Sequence, residues 1–272
     1  NRNLGLEYNM ASANNFWTGK VILHKNFRPD VSESTWMHAT SINYDSRNFS
    51  AEWQHEYVGE NYNPEAGFVP RKNYIRTNPE FRYRFFPKNA PGIVSHGFSV
   101  GSSIYYTREM EYTESENYLA YGVDFLNRSE LTVWTSYDYV QLRAPFDPTN
   151  TGGDTLATGT DYDWNAFGME YESKPGSLFT YAFSSRYGGY YGGTRLLLRG
   201  EAGYRIQPYA SFSTSVSYND IQLPAPLNDA TLWLISPRLD LTFTNTMFLT
   251  TFVQYNNQAD NVNMNIRFQW RY

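Results

Sequence analysis

The stretch that decides the fold is the last one, Val262-Asn-Met-Asn-Ile-Arg-Phe-Gln-Trp-Arg-Tyr272, in which apolar and polar residues alternate without a break. The apolar positions are Val262, Met264, Ile266, Phe268, Trp270 and Tyr272. The polar positions are Asn263, Asn265, Arg267, Gln269 and Arg271. Because successive side chains of a β-strand point to opposite faces, this stretch predicts a strand with one apolar and one polar face. Such a strand fits a sheet with lipid on one side and water on the other.

The same alternation recurs along the chain and predicts about 15 strands of roughly 9 to 14 residues, long enough to cross a bilayer when tilted. The predicted strands are 2–12, 16–27, 35–45, 49–59, 74–86, 93–107, 117–126, 130–142, 162–172, 178–187, 194–206, 209–219, 230–243, 247–256 and 261–272. The longer connections between them are 28–34, 60–73, 108–116, 143–161, 188–193, 220–229 and 257–260. Short turns alternate with these longer connections, as in an up-and-down barrel. We therefore predict an all-β fold, an antiparallel up-and-down transmembrane β-barrel that occupies 1–272 as one domain.

The order of the connections also predicts that the barrel extends beyond this chain. The first short turn follows the first strand, so that strand is expected to run from the outside inward. A barrel with both ends in the periplasm then needs a strand before residue 1, which gives about 16 strands or more in the full protein.

Composition excludes several classes of protein. No segment approaches 18 consecutive apolar residues, which excludes a transmembrane helix. The net charge is −5 with no basic cluster, so no nucleic-acid partner is expected. A β-sandwich has shorter strands and no strict rhythm of short and long connections. A barrel of about 15 strands has a lumen too wide to fill with apolar side chains, which disfavours a soluble barrel.

Three segments resemble one family of Bacteroidota outer-membrane β-barrels of unknown function. They are Asn63-Pro-Glu-Ala-Gly-Phe-Val-Pro-Arg71, Gly188-Gly-Tyr-Tyr-Gly-Gly193, and Phe252-Val-Gln-Tyr-Asn-Asn257 followed by Asn265-Ile-Arg-Phe-Gln-Trp-Arg-Tyr272. The resemblance covers most of the chain and implies the C-terminal barrel region of proteins that usually carry an N-terminal module similar to family-nine carbohydrate-binding modules. It also implies that the barrel continues at both ends. It transfers no catalytic residue, and the sugar-binding module is not in this sequence.

Candidates for chemistry are sparse. The four histidines, His24, His38, His55 and His96, stand in no nucleophile or metal-binding motif and are expected to be strand or interface side chains. Asp147, Asp154, Asp161 and Asp163 lie in or beside one long connection, where a calcium site is the alternative to a solvated loop, the interpretation we favour. We predict no catalytic residue, no metal ion and no cofactor over this span.

Charges of both signs fall on the predicted polar faces. Those expected to face the lumen are Arg82, Arg84, Arg195, Arg199, Glu201, Arg238, Asp240, Arg267 and Arg271. Half-buried charges need partners, so ladders of arginine and carboxylate across neighbouring strands are the first interpretation. In an open lumen, the same charges impose a field on solutes.

One connection combines apolar residues that a loop does not ordinarily expose. Its motif residues are Asn63, Pro64, Gly67, Phe68, Pro70 and Arg71. Exposed apolar residues are unfavourable unless they pack on something. Two interpretations stay open: a loop that enters the lumen or docks a partner, and a structural turn held by Arg71.

These observations predict an integral protein of the bacterial outer membrane that serves as an anchor or conduit for surface carbohydrate handling. One alternative is a scaffold in a larger outer-membrane assembly. Another is the barrel part of a carbohydrate-active hydrolase whose active module lies outside this chain. The expected partners are outer-membrane lipid and either carbohydrate or other envelope proteins.

Overall fold

The computed structural model of the protein describes residues 2–64 and 67–272. It contains fifteen strands that are hydrogen-bonded in chain order into one antiparallel up-and-down sheet. The strands are β1 (Arg2–Ala11), β2 (Trp17–Phe27), β3 (Trp36–Asp45), β4 (Phe49–Val58), β5 (Tyr74–Phe85), β6 (Ile93–Tyr106), β7 (Tyr112–Phe125), β8 (Glu130–Gln141), β9 (Asp161–Glu172), β10 (Phe179–Tyr190), β11 (Gly193–Ile206), β12 (Ala210–Gln222), β13 (Ala230–Thr244), β14 (Met247–Asn256) and β15 (Asn261–Trp270). The all-β class and the up-and-down order are thus as the sequence predicts.

The register confirms the two-faced character of the strands. Leu198 lies opposite Tyr218, which lies opposite Trp233, so these three side chains share one face of β11, β12 and β13. Arg199 lies opposite Ser217 on the other face. The ring centroids of Tyr218 and Trp233 are 4.6 Å apart. Aromatic side chains therefore pack sideways along the apolar face while hydroxyl and charged groups occupy the polar face.

One predicted loop is a tight turn instead. The segment 188–193 was expected to be one of the longer connections, but β10 continues to Tyr190 and β11 starts at Gly193. The two residues between them, Tyr191 and Gly192, have φ values of 47° and 83°. Positive φ at both central positions is the geometry of a two-residue hairpin turn whose twist matches that of the flanking strands. The glycines that suggested a loop serve this turn and the strands on either side of it.

The predicted acidic loop 108–116 is also shorter than expected. β7 begins at Tyr112, so Glu114 and Glu116 are strand residues. Glu114 lies within hydrogen-bond distance of Arg71, and this pairing helps to explain why a charged segment continues the strand.

The chain forms two compact units. The first contains the chain up to Phe86 together with Gly97–Ala120 and Ser136–Gln141. The second contains Pro87–His96, Tyr121–Thr135 and Leu142–Tyr272. Strands β6, β7 and β8 contribute residues to both.

Buried side chains are mostly small or polar, whereas large apolar side chains are exposed. Ala166, Asn26 and Thr35 are at most 1% exposed, while Leu6 is 66% and Phe167 59% exposed. A water-soluble protein of this length buries its large apolar side chains in a core. Here they lie on one face of the strands. Among the described residues there is no helix long and apolar enough to cross a membrane.

Candidate functional site on the polar face of the second unit

The polar face of β11–β14 is a regular lattice of hydroxyl and charged side chains. The backbone register aligns its residues in three rows across the strands, which are Glu201–Ser215–Ser236, Gly203–Ser213–Arg238–Phe252 and Arg205–Ser211–Asp240–Thr250. The serines of β12 recur at every second position because a strand returns to the same face with period two. Each serine therefore lies between the charged strands β11 and β13.

A cavity of about 660 Å³ lies over this lattice. Its lining includes Glu201, Arg205 and Arg238 and the hydroxyl groups of Ser213 and Ser215. Serine hydroxyls both donate and accept hydrogen bonds, arginine only donates, and an ionised carboxylate only accepts. The cavity can thus meet a polar solute with every kind of hydrogen-bonding group.

Gly203 lines the cavity, and its lack of a side chain leaves space there. It lies on β11 at the start of the middle row, and a Cβ added there would lie 3.0 Å from Thr180 Oγ1. Any side chain at this position would therefore crowd its neighbour and fill the space above the sheet.

Some charges of the site neutralise one another. Arg238 donates from Nε and Nη2 to the two carboxylate oxygens of Asp240, at 2.8 and 3.1 Å. Asp240 also accepts a hydrogen bond from Thr250 Oγ1 at 2.7 Å. Arg205 donates from Nη2 to the carbonyl of Ser177 at 3.0 Å. These groups form a fixed polar wall.

Two charges of the site remain available to a solute. Arg199 and Glu201 are exposed and lie two residues apart on the polar face. Within residues 2–64 and 67–272, the side chain of neither residue forms a hydrogen bond or an ion pair. They are the groups of this face with the greatest freedom to contact a ligand or a passing ion.

Arg195, near the start of β11, is held in place by two contacts. Its Nε donates to Asn219 Oδ1 at 2.8 Å, and its guanidinium lies 5.0 Å from the ring centroid of Tyr190. Of the predicted lumen-facing residues, Glu201, Arg238 and Asp240 belong to the three rows of the lattice. Arg199 lies two residues from Glu201 on β11, and Arg195 lies further along the same strand, outside the lattice.

The other predicted arginines lie apart from this lattice or beside it. In the first unit, Arg82 pairs with Glu80 at 3.1 Å and Arg84 pairs with Asp45 at 3.3 Å. Arg82 and Glu80 belong to the same strand, so this pair is not a rung across neighbouring strands. In the second unit, Arg267 lies opposite Thr250, and the Arg271 guanidinium lies 5.3 Å from the ring centroid of Phe248.

Sequence reasoning did not select the serines of β12 or Phe252 as site residues. The alternation of serine in this strand was visible, but only the register shows that these hydroxyls line up with Glu201 and Arg238. Phe252 was missed because β14 carries apolar residues on both of its faces, so its sequence does not reveal which face is polar.

The loop motif of the first unit is anchored at its C-terminal end by Arg71. Arg71 Nη1 donates to Glu114 Oε2 at 2.6 Å, and the guanidinium lies 4.2 Å from the ring centroid of Tyr105. At the other end, the Pro64 carbonyl accepts a hydrogen bond from Asn3 Nδ2 at 2.9 Å.

Several of the described residues of the motif are exposed to solvent. Phe68 is 90% exposed, Gly67 and Pro70 are exposed, and Asn63 is half-buried. Glu65 and Ala66 of the motif lie outside the described residues. The structural interpretation accounts for Arg71, and the exposed Phe68 is the feature that it leaves unexplained.

The long connection after β8 is organised around Asp147. Its Oδ1 accepts hydrogen bonds from Thr149 N and Oγ1 at 2.8 and 2.7 Å, and its Oδ2 accepts from Thr151 N and Gly152 N, each at 2.9 Å. Burial tends to raise the pKa of this carboxyl, but the hydrogen bonds outweigh it and lower the pKa to about 2. The carboxylate is thus occupied by its own loop.

The structure adds no support for the calcium alternative in this loop. Within the described part of the chain, no group of three or more His, Cys, Asp or Glu side chains is placed to hold a metal ion.

The histidines are side chains of the sheet with partners nearby. The Nδ1 atom of His24 lies 2.6 Å from the Tyr62 hydroxyl, and that of His96 lies 2.6 Å from the Tyr121 hydroxyl. His55 Nδ1 lies 3.1 Å from the carbonyl of Arg76. These contacts are those of strand and interface side chains.

Comparison with known proteins leaves the family open. No protein-family model matches the chain, and no curated protein matches it. The likeness to the Bacteroidota barrel family therefore stays a prediction that rests on the three segments quoted above.

Proposed function

We propose that this chain is the membrane-spanning part of a bacterial outer-membrane β-barrel that serves as an anchor or conduit for the handling of carbohydrate at the cell surface. The observation that carries the proposal is the exposed apolar face of the sheet. Large apolar side chains occupy it from the first strand to the last. Examples are Leu6, Phe81, Leu119, Tyr204 and Ile266, which are 47–66% exposed. Only a nonpolar solvent makes such a face favourable, since each large apolar side chain left in water forgoes about 1.5–3 kcal/mol.

The polar face supports the conduit. A membrane-spanning barrel keeps its polar side chains toward the lumen. The cavity over β11–β14 offers serine hydroxyls and the carboxylate of Glu201, and the free cation Arg199 lies two residues from Glu201 on the same strand. Groups that both donate and accept hydrogen bonds suit polyhydroxylated solutes such as sugars. The carbohydrate part of the proposal rests on this chemistry and on the family resemblance.

The membrane location is tested with the full-length protein in cell envelopes. We expect the protein to stay with the membranes after an alkaline carbonate wash and to migrate faster on a gel when unheated than when boiled. Release by the wash together with unchanged migration would overturn the proposal.

The conduit is tested in planar bilayers. We expect stepwise conductance, and we expect Arg199→Glu to lower the permeability ratio of anions to cations because it reverses a free charge on the polar face. Arg143→Glu, in an exposed connection, is the control that leaves this ratio unchanged. If the folded protein shows no conductance, the proposed role as a conduit is overturned and the proposed role as an anchor stands.

A second candidate, a scaffold for envelope proteins, is favoured by Phe68. A protruding aromatic residue on an anchored loop is the kind of side chain that acts as a hot spot in an interface. We expect Phe68→Ser to abolish co-purification of envelope partners in mild detergent, while Tyr209→Ser, in an exposed turn of the second unit, preserves it. If the wild-type protein already purifies without partners, the scaffold function is overturned.

A further inference from the structure

A narrow groove lies on the apolar face of the first unit, where β1, β2 and β3 meet. It has a volume of about 250 Å³, and its lining includes Leu4, Leu6, Leu23, Lys25 and Trp36. The register places these side chains in two rows. Leu4, Lys25 and Trp36 form the row nearer the strand ends, and Leu6 and Leu23 form part of the row below it.

Along β1 and β2 the groove changes from the cationic Lys25 to aliphatic side chains, while on β3 His38 continues the row of Leu6 and Leu23. Lys25 and Trp36 stand at the end that carries the connection 28–35. Leu6 and Leu23 follow two residues further in, which is about 7 Å along a strand. Next on the same face comes Val21, opposite Tyr8. This gradient matches an amphiphile whose charged head lies at the rim and whose tail runs along the strands.

Lys25 supplies a charge that is not neutralised. Among residues 2–64 and 67–272, no carboxylate lies within salt-bridge distance of its Nζ. The Nζ atom lies 5.3 Å from the ring centroid of Phe27. The other lysine of this strand, Lys20, points to the opposite face and pairs with Glu7 at 2.9 Å. An unpaired cation on an apolar face needs an anionic partner from outside the chain.

Trp36 is held as a rigid wall of the groove. Its ring centroid lies 4.3 Å from that of Tyr57 and 5.7 Å from that of His38. Tryptophan and tyrosine prefer the boundary between the hydrocarbon and headgroup layers of a membrane. The aromatic cluster thus sets the depth at which Lys25 would meet lipid headgroups.

We propose that this groove binds a membrane lipid with a phosphate-bearing headgroup, its phosphate on Lys25 and an acyl chain along Leu4, Leu6 and Leu23. The proposal rests on the membrane location proposed above. The occupant is a lipid and not a soluble phosphate because the side chains next to Lys25 are aliphatic. Burying an acyl chain against them is favourable, and a soluble phosphate has no such chain.

The test uses the full-length protein in an uncharged detergent and native mass spectrometry. Three probes separate the contributions of head and tail: dioleoyl phosphatidic acid, dioleoylglycerol with the same chains and no phosphate, and glycerol phosphate with no chains. We expect retention in the order phosphatidic acid, dioleoylglycerol, glycerol phosphate, with the last not detectably retained. Equal retention of the two lipids, or retention of glycerol phosphate, would overturn the proposal.

Variants then locate the site. Lys25→Gln is expected to raise the dissociation constant for phosphatidic acid about fivefold, the change that corresponds to about 1 kcal/mol for one lysine at an anionic membrane surface. Lys20→Gln, on the same strand but the opposite face, is the matched control and is expected to bind as the wild type does. Leu23→Ser should weaken both lipids alike, because it shortens the aliphatic part of the groove.

The outcomes separate this site from the proposed function. The lipid site is overturned if Lys25→Gln binds phosphatidic acid as tightly as the wild type, or if Lys20→Gln loses as much affinity as Lys25→Gln. Membrane retention would in that case still support the proposed function. If the wild-type protein is released from membranes by the alkaline wash, the proposed function and the lipid site are overturned together. Unchanged heat-dependent migration relative to wild type shows that each variant has folded.

Discussion

At the scale of the residue, single polar side chains organise the long connections. Asp147 binds the backbone of its own loop, and Arg71 ties the motif loop to a carboxylate and an aromatic ring. Both residues act through charge, so their contributions depend on protonation or on the charge of the variant. They lie outside the strands, where water competes for every interaction.

Asp147 gives its loop a predictable dependence on pH. The hydrogen bonds bring the pKa of its carboxyl to about 2, below the ordinary value of 3.8. A lowered folded-state pKa means that the carboxylate stabilises the loop above about pH 4 and that this contribution is lost as the pH falls toward about 2. We expect the amide proton resonances of Thr149 and Gly152 to shift together across this window in an NMR titration.

Two variants check the role of Asp147. Asp147→Asn should remove the titration of both amide resonances, because the side chain no longer carries a charge. Asp154→Asn, in the same connection but exposed, should leave it intact. Amide resonances that do not move between pH 5 and pH 2 in the wild type would contradict the assignment.

Arg71 is expected to protect the motif loop against proteolysis, because it ties the loop to Glu114 and Tyr105. Arg71→Gln removes the ion pair with Glu114 and the contact with Tyr105, which at these half-exposed positions contribute about 1 kcal/mol together. We expect cleavage within 60–73 to become about fivefold faster. Lys72→Gln, next in sequence, is the control, and equal acceleration in both variants would show that charge alone protects the loop.

At the scale of the element, glycines decide how closely the strands approach. At Gly193, at the start of β11, an added Cβ would lie far inside van der Waals distance of the Gln222 carbonyl oxygen. At Gly200, later in the same strand, an added Cβ would meet nothing within 4 Å. Both glycines pair with neighbouring strands, but only at Gly193 does the direction of the Cβ point into the backbone of β12.

This difference predicts opposite outcomes for the same substitution. Gly193→Ala should lower the free energy of unfolding by about 1–3 kcal/mol, since the backbone must move to admit the methyl group. Gly200→Ala should be neutral or slightly stabilising, because alanine restricts the unfolded chain. Denaturant titration followed by circular dichroism measures both, and equal destabilisation would contradict the close approach at Gly193.

At the scale of the whole molecule, the separation of apolar and polar faces is the property that the proposed membrane location requires. It is tested by placing the same charge on each face. Val216 and Ser215 are neighbours in β12, both half-buried, and they point to opposite faces. They differ only in the solvent that each face is proposed to meet.

Arginine at these two positions should have different effects on membrane insertion. Val216→Arg is expected to cost about 2–4 kcal/mol if its side chain lies near the middle of the bilayer. Ser215→Arg should cost little, because it joins a polar face. The folded fraction in lipid vesicles, read from heat-dependent migration on a gel, compares them, and equal losses would argue against lipid on the apolar face.

Much of the fold follows from local pattern, and the exceptions have local causes. The alternation of Leu198 with Arg199 is enough to predict a two-faced strand, because side-chain direction depends only on position along the strand. The turn at Tyr191 and Gly192 was mistaken for a longer loop because glycine marks both loops and close strand contacts. The start of β7 at Tyr112 was missed for another reason, because Glu114 and Glu116 are of a residue type that is depleted in strands.

The candidate site was only partly predictable. Arg199, Glu201 and Arg238 could be assigned to the polar face one strand at a time. Their alignment with Ser213 and Ser215 depends on hydrogen-bond register between strands, and a shift of one residue would send every serine to the other face. No local pattern contains that information.

The sequence by itself determined that the chain forms long antiparallel strands with one apolar and one polar face, because period-two alternation is a property of each strand alone. Only the tertiary structure decided which charges neutralise one another, which remain free at Arg199, Glu201 and Lys25, and where cavities form between strands. The physical reason is that pairing energies and cavities depend on distances between residues remote in sequence. Those distances are set by strand register and by the close approaches that glycines allow.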